Sequence, residues 1–230
     1  METKLARIAQ VAKERPKEQF TSLAHLINVE MLLKCHHELN GNKASGIDEV
    51  TKAEYEENLL ENINRLHESL RKMAYKPQAV RRVYIPKPGS SKKRPLGIPA
   101  YEDKIVQLAV SKILTAIYEQ DFLDSSYGFR PGRSCHDALR KLNDIIMTKK
   151  TNWIVDADIS GFFDHVDHGW MMRCLEVRIK DSKLLRIIAR MLKAGIMEEG
   201  EFKAPQEGTP QGGIVSPVLA NIYLHYVLDL

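Results

Sequence analysis

The chain has 230 residues, 43% of them hydrophobic and 28% charged, and a formal net charge of +4. That is enough apolar material for a sizeable core, in one large domain or two small lobes. No run of ~18 to 20 apolar residues is present that could span a bilayer, and METKLARIAQVAKERPKEQF is charged throughout where a secretory signal would be apolar, so a cytoplasmic protein with no membrane partner is expected. Cys35, Cys135 and Cys174 are an odd number at wide spacings, which suggests neither a disulfide framework nor a structural zinc site.

Apolar periodicity predicts helices near Lys4 to Lys13, from Ser22 to Leu39 and from Lys52 to Met73, with a Gly/Asn/Ser-rich loop between Asn40 and Asp48. The period then changes. Ala79 to Pro86 and Arg94 to Pro99 read as two strands around the turn KPGSSKK, a basic hairpin. Ile105, Leu108, Ala109, Ile113 and Ile117 recur at helical spacing within Tyr101 to Tyr118, a core helix. A loop from Ser125 to Arg133 precedes a helix over Cys135 to Met147, and WIVDADI, Trp153 to Ile159, has the composition of a strand. Helices over His168 to Arg178 and Ser182 to Leu192, a hairpin turning near Gly200 and an apolar helix from Val215 to the end complete the reading. Helices and a hairpin first, then strands alternating with helices, describe an α+β protein of two lobes.

Charge is unevenly spread. Lys76, Arg81, Arg82, Lys87, Lys92, Lys93 and Arg94 occur with no acidic residue among them, an excess suited to a phosphate backbone and its released counterions. Lys4, Arg7, Lys13, Arg15 and Lys17 form a second cluster, open to two readings: an RNA contact or a solvated helix face. In VDADISGFFDHVDH, strand alternation puts Asp156 and Asp158 on one face near a strand end. Such a carboxylate is a good ligand for a hard cation such as magnesium, and equally an ordinary surface turn. His165 and His168 invite a zinc reading, which the lack of accompanying ligands at suitable spacing disfavours.

Four segments in order, VYIPKPGSSKKRPLGIP, YGFRPGRS, VDADISGFFDHV and EGTPQGGIVSPVLANIYL, together with NKASGIDEVT near the start, resemble the sequence blocks of reverse transcriptases, in wording closest to the group II intron maturases. The resemblance covers about Leu23 to Leu230. It implies a right-hand polymerase-like fold, with residues 1–50 as an N-terminal helical extension, 51–150 as fingers and 151–230 as part of a palm.

The resemblance also implies roles. Asp158 would bind catalytic Mg2+ with help from the backbone carbonyl of Ile159, and Phe163, or else Phe162, would exclude a ribose 2′-hydroxyl. Lys87 and Arg94 would hold the triphosphate of the incoming nucleotide, and Gln211 would pack against that nucleotide. Arg81, Arg82, Lys92, Lys93, Arg130 and Arg133 join the N-terminal cluster as nucleic-acid contacts. The implied partners are an RNA template, intron RNA, a DNA primer and deoxynucleoside triphosphates.

The resemblance further implies a Tyr-x-Asp-Asp block, which this sequence does not reach, so little polymerisation is expected from these 230 residues alone. The last helix is apolar on most of its circumference, which points to an uncovered face and self-association, a homodimer included. Two other readings stay open: an RNA-binding module without polymerase activity, and a reverse transcriptase of another bacterial retroelement.

Overall fold

The computed structural model describes the chain apart from Met1, Pro88, Ser90, Lys92, Gln206, Pro210 and Gln211. The elements run α1 (Glu2–Glu14), α2 (Val29–Glu38), α3 (Lys52–Glu57), α4 (Leu59–Arg71), β1 (Val80–Pro86), β2 (Lys93–Ile98), α5 (Tyr101–Tyr118), α6 (Cys135–Thr148), α7 (His168–Arg178), α8 (Ser182–Leu192), β3 (Ile196–Glu198), β4 (Glu201–Lys203) and α9 (Ser216–Leu224). Short 3-10 turns lie at Ala24–Leu26 and Phe162–Asp164, and a π-helical turn at His225–Asp229.

The α5 helix is the axis of the core. Ile105, Val106, Ala109, Val110, Ile113, Leu114, Ile117 and Tyr118 are all buried, on more of its circumference than one helix face. A helix buried nearly all round needs partners on several sides, and α1, α2 and α9 supply them. Each such aliphatic side chain contributes about 1.5 to 3 kcal/mol on burial. One apolar cluster extends from Ala12 through α5 to Ile222.

The helix boundaries follow local chemistry. Asn28 caps α2 by accepting from Met31 N, so the expected Ser22 to Leu39 helix becomes a 3-10 turn followed by a shorter helix. The expected Lys52 to Met73 helix is two helices, interrupted at Asn58 with φ −124° and ψ 39°. Thr51 and Glu54 form a capping box at the start of α3. The N-terminus of α5 is capped from a distance, by Asp48 Oδ2 accepting from Tyr101 N at 3.3 Å.

The sheet has the order β2-β1-β3-β4. Its first pair is the basic hairpin, antiparallel with Arg82 opposite Gly97 and Ile85 opposite Arg94. β3 joins β1 in parallel through Val80 and Ile196, and pairs antiparallel with β4 across the expected turn at Gly200. Trp153 to Ile159 is not a strand: the segment is irregular, with Trp153 and Val155 each 89% exposed. Composition favours extension there, but a strand forms only where a neighbour takes its N–H and C=O groups, and none among the described residues does.

The loop before α3 is fixed to the hairpin base. Arg81 donates to Ser45 O at 2.6 Å and Lys104 to Ala44 O at 2.6 Å. Gly46 lies flat on the α5 N-terminus, where a Cβ would come within 2.5 Å of Ala100 N and Cα, a space only glycine fits.

The N-terminal segment is likewise tied to the far end of the chain. Phe20 bridges Ile179 in parallel, and the buried Arg178 donates to Asp121 Oδ1, Glu18 O and Ala12 O. The last helix is mostly covered within this chain, contrary to the face expected to be open. Val218, Leu219 and Ile222 are buried against α5 and α7, and Val227, Leu228 and Leu230 beyond it are exposed. No helix among the described residues is long and apolar enough to cross a membrane.

Candidate active site

The described stretches Glu207–Thr209 and Gly212–Ile214 join segments distant in sequence. Gly208 N donates to Val166 O at 2.8 Å, and Thr209 N to Phe163 O at 2.7 Å. The backbone of Gly208 has φ +87°, and a Cβ there would meet Phe163 O and Asp164 O at 2.9 and 2.8 Å, so a side chain would push the two segments apart. His168 Nε2 donates to Gly208 O at 2.6 Å, which uses the imidazole structurally and removes it from the zinc reading. His165 pairs with Glu207 at 3.0 Å.

The second of these stretches reaches the hairpin. Gly212 abuts Gly97 O of β2, and Ile214 N donates at 2.8 Å to Gln107 Oε1 on α5. Thr209 Oγ1 and Ser216 Oγ share a buried hydrogen bond of 2.8 Å. Gln107 is nearly buried on the core helix, and its role escapes a periodicity reading because its partner is a backbone amide over a hundred residues away in the chain.

Between the hairpin and Glu207–Thr209 lies a cavity of about 230 Å³ lined by Arg82, Phe163, Asp164, Ile196, Gly208 and Thr209. Phe162 and Phe163 pack edge to face at 5.4 Å, and Phe162 also meets Tyr223, so the second aromatic alone is turned to the cavity. Arg82 Nε is buried there with no hydrogen-bond partner among the described residues. An unpaired buried guanidinium nitrogen beside an aromatic wall suits an anionic, ring-bearing ligand.

Strand register separates the basic residues. Arg81 and Arg94 share one face of the hairpin and Arg82 the other. Arg94, Lys93 and Lys87 are exposed, whereas Arg81 is half-buried by its bond to Ser45. Lys92 and Gln211 lie outside the described residues. Asp156 and Asp158 are exposed, and neither carboxylate has a partner among the described residues. Ile159 is also exposed, just before the chain turns at Gly161 into Phe162–Asp164.

Arg130 corrects an expectation. It is 6% exposed, donates to Glu119 through Nε and Nη2 and to Leu123 O and Ser126 O, and lies over the Phe122 ring. Its guanidinium is engaged with Glu119 and two carbonyls inside the fold and the side chain is buried, which turns it away from a phosphate backbone. Arg133 is bound to Asp124 at 2.8 Å and lies over Tyr127. Lys4, Arg7, Lys13, Arg15 and Lys17 are all exposed.

The model of the reverse transcriptase (RNA-dependent DNA polymerase) family matches residues 85–230, from the end of β1 through β2 to α9 and beyond. Group II intron-encoded protein LtrA of Lactococcus lactis subsp. cremoris is 42% identical over 234 residues, 98% of this chain and 38% of LtrA. This chain belongs to the group II intron-encoded reverse transcriptase family.

Protein YkfC of Escherichia coli strain K12 is 41% identical over 189 residues, covering 80% of this chain and 49% of YkfC. A chain of a Cas6-RT-Cas1–Cas2 complex shares the fold, with a TM-score of 0.55 at 23% identity over 88% of this chain and 33% of that one. The chain thus spans 38% of the length of LtrA and about half that of YkfC. Backbone groups of Gly208 and Thr209 meet Val166 and Phe163, and Gly212 meets Gly97 of the hairpin. Asp158 lies on the exposed segment that precedes Phe162–Asp164 in the chain.

Proposed function

We propose that this chain supplies the fingers, residues 51–150, and part of the palm, residues 151–230, of an RNA-directed DNA polymerase in a group II intron maturase, with residues 1–50 as an extension that contacts intron RNA during splicing. The observation that carries this reading is the seating of Thr209 on Phe163 together with that of Gly212 on Gly97. It makes one site of three segments that the chain keeps far apart.

Within that site each group has work that suits its chemistry. Phe163 is a rigid wall beside the sugar of an incoming deoxynucleotide. Lys87 and Arg94, exposed on the hairpin, supply countercharge to its triphosphate, the arginine with a fork matched to two oxygens. The exposed Asp158 carboxylate and the Ile159 carbonyl are hard oxygen donors of the kind Mg2+ takes. When bound, that ion supplies charge neutralisation for transfer to a primer 3′-hydroxyl. The chain spans 38% of the length of LtrA, so the activity is proposed for a protein that carries this segment.

The decisive experiment is DNA synthesis on a primed RNA template with magnesium, comparing that protein with its Asp158→Ala variant. Loss of synthesis with unchanged RNA affinity is expected; equal synthesis overturns the assignment. A second reading, an RNA-binding module, draws on the exposure of Lys4, Arg7, Lys13, Arg15 and Lys17. It gains if RNA is bound tightly and neither protein extends the primer.

A further inference from the structure

We infer that His36, His37 and Glu56 form a binding site for a divalent ion of the zinc class, clipping the C-terminal end of α2 to α3. The site lies apart from the catalytic region and is independent of the polymerase reading. One ligand atom from each residue lies within 4.8 Å of the other two.

The buried member carries the argument. His36 is fully buried, its Nδ1 is 3.0 Å from the Tyr101 hydroxyl, and its Nε2 has no hydrogen-bond partner among the described residues. Buried ring nitrogens without a partner are rare in folded proteins. Nε2 faces Glu56 Oε1 at 3.7 Å, beyond hydrogen-bond reach. Two ligands at ~2.0 to 2.2 Å from a tetrahedral zinc ion lie about 3.4 Å apart. A shared ion therefore closes that gap with a shift of a few tenths of an ångström, and gives Nε2 the partner it lacks.

The surroundings fit the same ion. Metal-bound histidines commonly donate their second ring N–H to an oxygen that fixes tautomer and orientation, and Tyr101 Oη is placed to accept it. His37 and Glu56 are exposed, leaving a fourth position to water. Two imidazoles and a carboxylate select zinc over magnesium, which prefers oxygen donors. Lys52 opposes a cation nearby, but its ammonium is held by Leu39 O at 2.7 Å and His37 O at 3.4 Å. The ion would close the stem of the loop whose Ala44, Ser45 and Asp48 grip the hairpin and α5.

The test is calorimetric titration of the metal-free chain with Zn2+, with Co2+ as a spectroscopic probe of coordination. Saturable uptake of one ion is expected, with visible cobalt absorption of a four-coordinate nitrogen and oxygen site, undisturbed by excess Mg2+. His37→Ala and Glu56→Gln, both at exposed positions, should each weaken uptake by more than about tenfold, and Tyr101→Phe by about 10- to 100-fold. No saturable uptake overturns the site. So does uptake that survives both His37→Ala and Glu56→Gln, the pattern of an ion held adventitiously at His165 and Glu207.

Discussion

The Tyr75 hydroxyl donates to the Asp103 carboxylate at 2.5 Å, with both side chains withdrawn from water. Gln78 N donates to the other oxygen at 2.9 Å, so one carboxylate on α5 holds the segment between α4 and β1. Burial outweighs these bonds and pushes Asp103 up from 3.8 to about 6. Its folded value exceeds its unfolded one, so the contribution is fully present below pH ~4 and lost as pH rises through ~6. Against Asp103→Asn, which stays neutral, the wild type should lose stability between pH 4 and 6.5 by at most about 3 kcal/mol. Urea unfolding at a series of pH values measures the difference, and parallel curves would refute it.

Arg130→Ala should act on the fold and leave RNA binding alone. The change strands Glu119 and frees two carbonyls, at a cost of about 3 to 5 kcal/mol. The salt dependence of RNA affinity, measured below the unfolding transition, should match wild type, because the Arg130 side chain is buried and engaged inside the fold.

Lys87→Ala and Arg94→Ala should spare the fold and act on the incoming nucleotide. Both side chains are exposed at the hairpin end, so thermal midpoints should hold. Each change removes a charge-assisted contact to the triphosphate, so the KM for deoxynucleotide should rise by about tenfold or more while RNA affinity holds. Primer extension at varied deoxynucleotide reads that KM, and an unchanged value in both variants removes these residues from the triphosphate site.

Gly46→Ala should destabilise the loop it anchors. The added methyl meets the Ala100 backbone, which cannot swing away as a side chain could. Overpacking of this kind costs about 1 to 3 kcal/mol. Hydrogen exchange at residues 42–48 should rise with the loss, and a variant as stable as wild type with unchanged exchange would show that the loop adapts.

The helices were legible because their apolar faces repeat locally, and α5 because that repeat widens to nearly the whole circumference. The hairpin was legible for the same reason, a change of period at a Gly/Ser/Lys turn. Trp153 to Ile159 was not, since pairing depends on a neighbour that composition cannot name. Arg130 was expected to contact nucleic acid on the resemblance of its loop alone; what turns it inward is Glu119, on another element. Arg81 and Arg82 look equivalent in sequence, and only the strand register sends one to Ser45 and the other to the Phe163 cavity. The His36 arrangement was hidden as well, because Glu56 and Tyr101 reach it from separate helices.

The parallel pairing of Val80 with Ile196 bears on the order in which a ribosome delivers this fold. The hairpin is complete once Ile98 has emerged, but its inner edge has no partner until β3 follows, and Phe20 waits for Ile179 in the same way. During synthesis the nascent chain carries an unpaired strand edge while the roughly one hundred residues between Ile98 and Ile196 emerge, an interval in which edge-to-edge association is the hazard.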